Sequence, residues 1–245
     1  LAINFANIHM LPLFQKKIAY GSNGFPWTSE ICKRKINYNK GICPVAENLQ
    51  DSVYLGYQMC MHQMDFEEVD LMTGSVIGLP NSGTFRLQDL VGLDTSDNVT
   101  NFLVNNVNDD TFYSKLKDQP ENKSFKFLIE NKFFGNKSGK GYYEKTKEKD
   151  ENGRSVIKAL DLETNEYRKS IKPNLPEIKE AKSIELFDRR LKFLVEGDSN
   201  VNKFYKEYFS CILSYSAMSI PEIADDYYQI DDAIRTGYAW SYGPF

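Results

Sequence analysis

From residue 87 to residue 133 the apolar side chains recur at helical spacing, and polar or glycine positions interrupt them at intervals too short for one long helix. That pattern most constrains the fold: it asks for several short helices packed on one another. Leu87, Leu90 and Val91 share a face, Asp94, Thr95 and Ser96 then offer caps, and Val99, Phe102, Leu103 and Val107 repeat the spacing. Phe125, Leu128, Ile129 and Phe133 form the next stripe, which Gly135 can end in a left-handed conformation. The spacing predicts a mostly helical unit over 69–145, with Leu90, Val91, Val99, Phe102, Leu103, Leu128 and Ile129 buried together.

Beyond it, residues 145–152 (KTKEKDEN) read as a solvated loop. Residues 156–162 and 165–170 flank Glu163 and Thr164 as a short β-hairpin, and Pro173 and Pro176 mark a linker. Ile184, Phe187, Leu191, Leu194 and Val195 make a helical stripe closed by Gly197 and Asp198. Val201, Phe204, Tyr205, Tyr208 and Ile212 make another, ending before Pro221, which disfavours helix at Ile220. A last helix is expected to hold Ile223, Tyr227, Ile230 and Ile234.

Of 245 residues 41% are hydrophobic, enough for real cores, and the net charge of -4 gives no electrostatic reason to expect nucleic acid or an anionic membrane as partner. No signal peptide or apolar run long enough to span a membrane is present, so the sequons at Asn98, Asn122 and Asn136 read as incidental. Cys32, Cys43, Cys60 and Cys211 include no CxxC pair and no histidine at zinc-finger spacing. They read as free buried thiols, no metal is expected, and a cytoplasmic location follows. The chain opens at Leu1 and closes at Phe245, and it reads as a fragment of a longer coding sequence.

Two motifs go further than periodicity. Residues 78–95 read GLPNSGTFRLQDLVGLDT and residues 135–143 read GNKSGKGYY. In that order they resemble the helical C-terminal domain of bacterial 3-hydroxyacyl-CoA dehydrogenases, where a Gly-Pro turn feeds a helix ending in a Val-Gly-Leu-Asp-Thr corner and a later glycine loop closes the unit. Residues 220–245 resemble the start of a second copy of that domain, as in multifunctional members of the family. An internal repeat agrees: Val69 and Asp70 precede Gly83-Thr84-Phe85 by nearly the interval at which Ile230 and Asp231 precede Gly243-Pro244-Phe245. The expected fold class is mainly α: one such helical domain over 69–145, a linker with a β-hairpin over 146–182, and a truncated second helical domain over 183–245.

The resemblance implies a role in fatty-acid β-oxidation, oxidation of a 3-hydroxyacyl-CoA to the 3-oxoacyl-CoA. It also implies NAD as cofactor of the full-length enzyme, an acyl-CoA thioester as ligand, an upstream NAD-binding domain, and room for a downstream enoyl-CoA hydratase domain. Residues 1–66, through Gly-Phe-Pro-Trp at 24–27 and Cys-Pro-Val-Ala-Glu at 43–47, instead resemble the tail of a DegT/StrS-type sugar aminotransferase, a pyridoxal-phosphate family. That gives a small α/β segment and an alternative reading, a nucleotide-sugar aminotransferase tail in a fused or chimeric chain. A third reading is a catalytically silent helical interaction module.

Neither chemistry is complete in these residues. The family's catalytic His is paired with a Glu upstream, whereas this chain has only His9 and His62, and no Gly-x-Gly-x-x-Gly follows a strand. No pyridoxal-phosphate lysine motif surrounds Lys16 or Lys17. No catalytic, cofactor-binding or metal residue is therefore assigned. The loop at 135–141 falls one residue short of a phosphate-binding Walker loop and reads better as a tight turn, although Lys137 and Lys140 could touch a CoA phosphate. Asp225 with Asp226 and Asp231 with Asp232 are sequence neighbours that point apart on a helix, and they read as surface acids. Phe204, Tyr205, Tyr208 and Phe209 read as packing before a ligand box.

Overall fold

The computed structural model describes residues 64–106, 123–161, 164–220 and 224–245. Two compact units emerge: of the described residues, one holds 64–102, 123–161 and 164–208, the other 103–106, 209–220 and 224–245. Asp65 starts helix α1 (Phe66–Met72) with a capping box, its own N–H bonding Glu68 Oε2 at 3.0 Å. A 3-10 turn (Ser75–Ile77) closed by left-handed Gly78 leads to α2 (Phe85–Val91), α3 (Leu93–Asn106) and α4 (Lys123–Glu130). Strands β1 (Tyr143–Lys149), β2 (Ser155–Leu160) and β3 (Tyr167–Lys169) form an antiparallel meander in that order. Helices α5 (Pro176–Ser183), α6 (Phe187–Glu196), α7 (Asn200–Met218) and α8 (Tyr227–Tyr238) follow. Pro176 opens α5, where its missing N–H costs no helical bond. The mainly helical architecture is the expected one.

The core of the first unit centres on three rings. Phe66, Phe85 and Tyr142 meet with centroids 4.7, 4.8 and 4.8 Å apart, in the edge-on and tilted geometry that ring quadrupoles favour. Val69, Met72, Leu93, Leu128 and Leu160 are as fully buried, and the Tyr205 hydroxyl donates to the Met72 carbonyl at 2.8 Å, tying α7 to α1. The stripe on α7 is buried throughout, from Val201 to Ile212, as its spacing requires.

The buried set expected for 69–145 needs correction. Leu128 is buried, but Leu90, Val99 and Phe102 are 58%, 41% and 63% exposed, and Val91 and Ile129 are only half-buried. One cause is Gly92: its φ of 105° ends α2, and Leu93 N–H bonds the Phe134 carbonyl instead of continuing the helix. The helical phase restarts there, so Val99 and Phe102 do not continue the face of α2; within α2 itself Phe85, Gln88 and Asp89 face inward, where Asp89 meets Tyr142 and Tyr143, and Leu90 faces outward. Leu103 and Val107 lie outside the described side chains, as do Ile223, Cys32, Cys43, Cys60, Cys211, both histidines and the aminotransferase-like residues up to 63.

Gly135 does not end α4. Lys132 does, at φ 59°: Phe133 N–H bonds the Leu128 carbonyl and Lys132 N–H the Ile129 carbonyl, while the Phe133 ring meets Phe127. These are the bonds and the apolar contact of a Schellman motif, built without glycine. Residues 145–149, expected as loop, extend β1, and only Asp150 to Gly153 turn, with the Asp150 carboxylate accepting from Asn152 and Arg154 N–H. The hairpin of β2 and β3 is as expected. Residues 146–182 hold the expected hairpin and, beyond it, α5, with Ala159, Leu160, Ile178 and Ala181 buried. A truncated second copy asks for Tyr238, Trp240 and Phe245 to be exposed for want of partners; Tyr238 and Trp240 are instead buried, and of the three only Phe245 is exposed. Tyr238 lies on the face of α8 that also buries Ile230 and Ile234, and left-handed Ala239 turns the chain into Trp240.

One ion pair closes the unit across the sheet. Arg168 on β3 grips Glu67 on α1 with two N–H donors, at 2.8 and 3.0 Å, and Ile171 N–H adds a third bond at 3.1 Å. Burial alone would raise the Glu67 carboxyl, but these donors hold it below its ordinary 4.5. Replacing Arg168 with Ala strands a buried carboxylate and is expected to cost about 2–4 kcal/mol at pH 7, read from the urea midpoint. With a folded pKa below the unfolded one, this stabilisation is present above pH 4.5 and fades as pH falls through the folded value. The wild-type acid limb should therefore be steeper than that of R168A; superimposable limbs would refute the clamp.

Candidate functional site

The two glycine-bearing motifs converge on one carboxylate. Asp89, on the inward face of α2 and 1% exposed, accepts the backbone N–H groups of Tyr142 and Tyr143 at 2.9 and 2.8 Å. The glycines explain how the later loop comes so near: a Cβ at Gly135 would stand 2.6 Å from the Asp89 Cα, and one at Gly141 would strike the Asp89 carboxylate itself. Inside the loop, Gly135 N–H bonds the Lys140 carbonyl at 2.6 Å, the Ser138 hydroxyl accepts from Phe134 N–H at 2.7 Å, and Tyr167 of β3 donates its hydroxyl to the Gly141 carbonyl. The loop is a tight turn on a helix, not a phosphate cradle between strand and helix: α4 precedes it and β1 follows.

A second carboxylate does parallel work. Asp70 on α1 accepts Phe85 N–H at 2.6 Å, Arg86 N–H at 3.1 Å and the Tyr143 hydroxyl at 2.7 Å, so it starts α2 and holds the head of β1. Gly83 makes room, since a Cβ there would lie 2.6 Å from the Asp70 backbone. Burial pushes both carboxyls up to about 7, against backbone donors that favour the ionised form. Burial and the neighbouring Asp70 charge also raise the Tyr143 hydroxyl far above its usual range. The sequence reading missed both aspartates; the legible signal is an acid set among apolar residues, Asp70 between Val69 and Leu71 and Asp89 beside Leu90.

The lysines expected at a CoA phosphate are already partnered. Lys137 pairs with Asp94 in the first turn of α3 and lies 5.8 Å over the Phe134 ring. Lys140 pairs with Glu144 at 3.1 Å and stands 5.4 and 5.0 Å over the rings of Phe133 and Tyr167. The acidic neighbours separate as geometry requires: Asp226 caps α8, Asp231 accepts Phe245 N–H at 3.0 Å, and Asp232 faces Arg235 at 3.7 Å. Phe204, Tyr205 and Tyr208 pack on one another in the core. Among the described residues no cluster of His, Cys, Asp or Glu could hold a metal, and no helix is long and apolar enough to cross a membrane.

The arrangement can hold two motifs rigidly together, and its load is measurable. Asp89→Ala leaves two buried N–H groups without an acceptor and is expected to cost about 3 kcal/mol, with Asp89→Asn costing less because one bond survives. Gly141→Ala, which drives a methyl into Asp89, should lower the denaturation midpoint comparably at unchanged m-value. A neutral Asp89→Ala variant would show that the loop is held by something else.

Comparison with known proteins places this geometry. Residues 53–145 match the family described as 3-hydroxyacyl-CoA dehydrogenase, C-terminal domain. The probable 3-hydroxyacyl-CoA dehydrogenase of Bacillus subtilis (strain 168) is 32% identical over 203 residues, 80% of this chain and 23% of that protein. The putative fatty acid oxidation complex trifunctional enzyme of Rickettsia prowazekii (strain Madrid E) is 25% identical over 182 residues, 74% of this chain and 23% of that protein. A probable 3-hydroxyacyl-CoA dehydrogenase of Deinococcus radiodurans is 37% identical over 81 residues, 33% of this chain and 22% of that protein. No solved structure matches. The chain spans about a quarter of the length of these relatives. The family match begins ahead of Val69, and 80% of the chain is more than fits after Val69, so the dehydrogenase likeness reaches into the stretch read as an aminotransferase tail, a reading that these matches do not support. The unit built around Asp70 and Asp89 lies in that matched region, so it is over residues 53–145 that the chain is similar to the C-terminal domain of 3-hydroxyacyl-CoA dehydrogenases.

Proposed function

We propose that this chain serves an NAD-dependent 3-hydroxyacyl-CoA dehydrogenase of cytoplasmic fatty-acid oxidation, contributing the helical region that packs on the NAD-binding domain and closes over the acyl-CoA thioester. In this reading residues 69–145 are one copy of the helical domain, 146–182 connect it, and 183–245 begin a second copy. The observation that carries it is the coincidence of the family match with the Asp89-centred unit. The described residues do not fit NAD itself. Hydride chemistry needs a general base beside the substrate hydroxyl and a glycine turn opening a helix after a strand, whereas Gly139 and Gly141 lie between a 3-10 turn and a strand. The role assigned here is binding and closure, and no proton or hydride step is given to this chain.

Lys137 and Lys140 are proposed to meet the phosphates of the CoA moiety. Their ion pairs with Asp94 and Glu144 are at the surface, where such a pair is worth about 0–1 kcal/mol, so a phosphate can take either lysine at little cost. Calorimetric titration of the purified chain with an acyl-CoA is expected to show weak saturable binding, reduced about tenfold or more in the Lys137→Ala, Lys140→Ala double variant, with no NADH formed when NAD and a 3-hydroxyacyl-CoA are supplied. NADH production by the chain alone would overturn this division of labour, and absence of acyl-CoA binding would overturn the closing role.

A further inference from the structure

The two proposed copies can be laid on one another with one residue fewer in the second copy, ahead of its glycine turn. Asp65 and Asp226 each open a helix with a capping box, completed by Glu68 and by Gln229. Five positions on, Asp70 and Asp231 each accept the N–H of a phenylalanine that follows a glycine turn, Phe85 at 2.6 Å and Phe245 at 3.0 Å. Gly78 and Ala239, at the same sequence offset, are both left-handed, with φ 79° and 55°. A side chain at Gly83 would run into Asp70, and one at Gly243 into Asp231. The likeness is one of hydrogen bonds as well as of sequence.

It breaks at one place. In the first copy Phe66 and Phe85 are sealed, 1% and 0% exposed, because Tyr142 closes the triad while Tyr143 gives its hydroxyl to Asp70. In the second copy Tyr227 and Phe245 hold the same two positions with ring centroids 6.0 Å apart, yet they are 58% and 47% exposed. A ring pair in that geometry accommodates a third aromatic edge, and an aspartate with one oxygen on Phe245 N–H has a second that can accept a hydroxyl.

We propose that Tyr227, Phe245 and Asp231 form a docking site for a Gly-x-Gly-Tyr-Tyr segment of the kind found at residues 139–143. The first tyrosine ring closes on the aromatic pair and the second tyrosine donates its hydroxyl to Asp231. The proposal rests on the two-copy reading given under Proposed function. Its occupant follows from complementarity: a tyrosine pair after glycine supplies the ring and the donor together, as it does where the arrangement is complete.

The test is a titration of the isotope-labelled full chain with a synthetic peptide of residues 138–145, followed by amide chemical shifts. Saturable shifts are expected at Tyr227, Asp231 and Phe245, with a dissociation constant of about 1 mM. Affinity should fall about tenfold when Tyr227→Ala is made in the chain, or when the peptide carries Ala in place of Tyr142. Asp231→Asn, which preserves the shape of α8, should weaken the peptide carrying both tyrosines but not one whose second tyrosine is Phe. No shift at these amides, or equal binding by Tyr227→Ala, overturns the proposal. So does a dimer that buries Tyr227 and refuses the peptide, since a second copy would then be the occupant. Hydrogen exchange separates the two levels. If Phe245 N–H loses protection in Asp231→Asn while the peptide fails to bind, docking alone is wrong; if that protection ignores Asp231, the two-copy reading falls as well.

Discussion

A carboxylate removed from water is tolerated only where hydrogen bonds replace its solvent shell, and the first unit turns that demand into its frame. Asp89 meets it with two N–H groups from a loop more than fifty residues downstream, and Asp70 with the start of α2 and the hydroxyl of Tyr143. Tyr143 is therefore held twice, by its N–H on Asp89 and by its hydroxyl on Asp70. From it β1 pairs with β2, β2 with β3, and Arg168 on β3 returns to Glu67, three residues before Asp70 on the same helix. The chain closes a circuit of polar contacts around the ring triad. Breaking any member leaves a buried charge or a pair of orphaned amides, so the circuit favours one arrangement over near alternatives.

Buried carboxyls displaced to near neutrality are often a sign of catalysis. Here the oxygens of Asp70 and Asp89 are committed to backbone groups and to Tyr143, and the glycines whose side chains would collide with them belong to the same clamps. The perturbation is a consequence of enclosure. The same enclosure accounts for two glycines of the later motif, since a side chain at Gly135 or Gly141 would collide with Asp89.

How much of this was legible varies with the range of the cause. Most of the helices, the β2–β3 hairpin and the α7 stripe follow from local periodicity, and the structure keeps them; α5, which Pro176 opens where the sequence marks a linker, does not. The inward face of α2 does not follow, because the contact that selects it, Asp89 to Tyr142 and Tyr143, is remote in sequence, and Gly92 resets the helical phase before α3. The end of α4 was assigned to the nearest glycine, whereas Lys132 takes the left-handed position once Phe133 can pack on Phe127. β1 was hidden because a lysine- and glutamate-rich run carries no apolar alternation; its pairing with β2 supplies what the side chains do not. Lys137 and Lys140 were visible as basic, but their partners Asp94 and Glu144 became apparent only in three dimensions.

The charged character of β1 has a further consequence. It is the outer strand of the sheet, its register with β2 shifts between Lys145 and Lys149, and Lys145, Lys147 and Lys149 are exposed along it. An open strand edge is a template on which another chain can extend a sheet, and a bulge with flanking lysines blocks that growth. Glu144 and Glu148 on the same strand offset two of the three lysine charges, so growth is opposed by the water that the lysine ammonium groups would have to give up and by the break in register. Resistance to fibril-like stacking is thereby written into hydration and backbone register rather than into net charge.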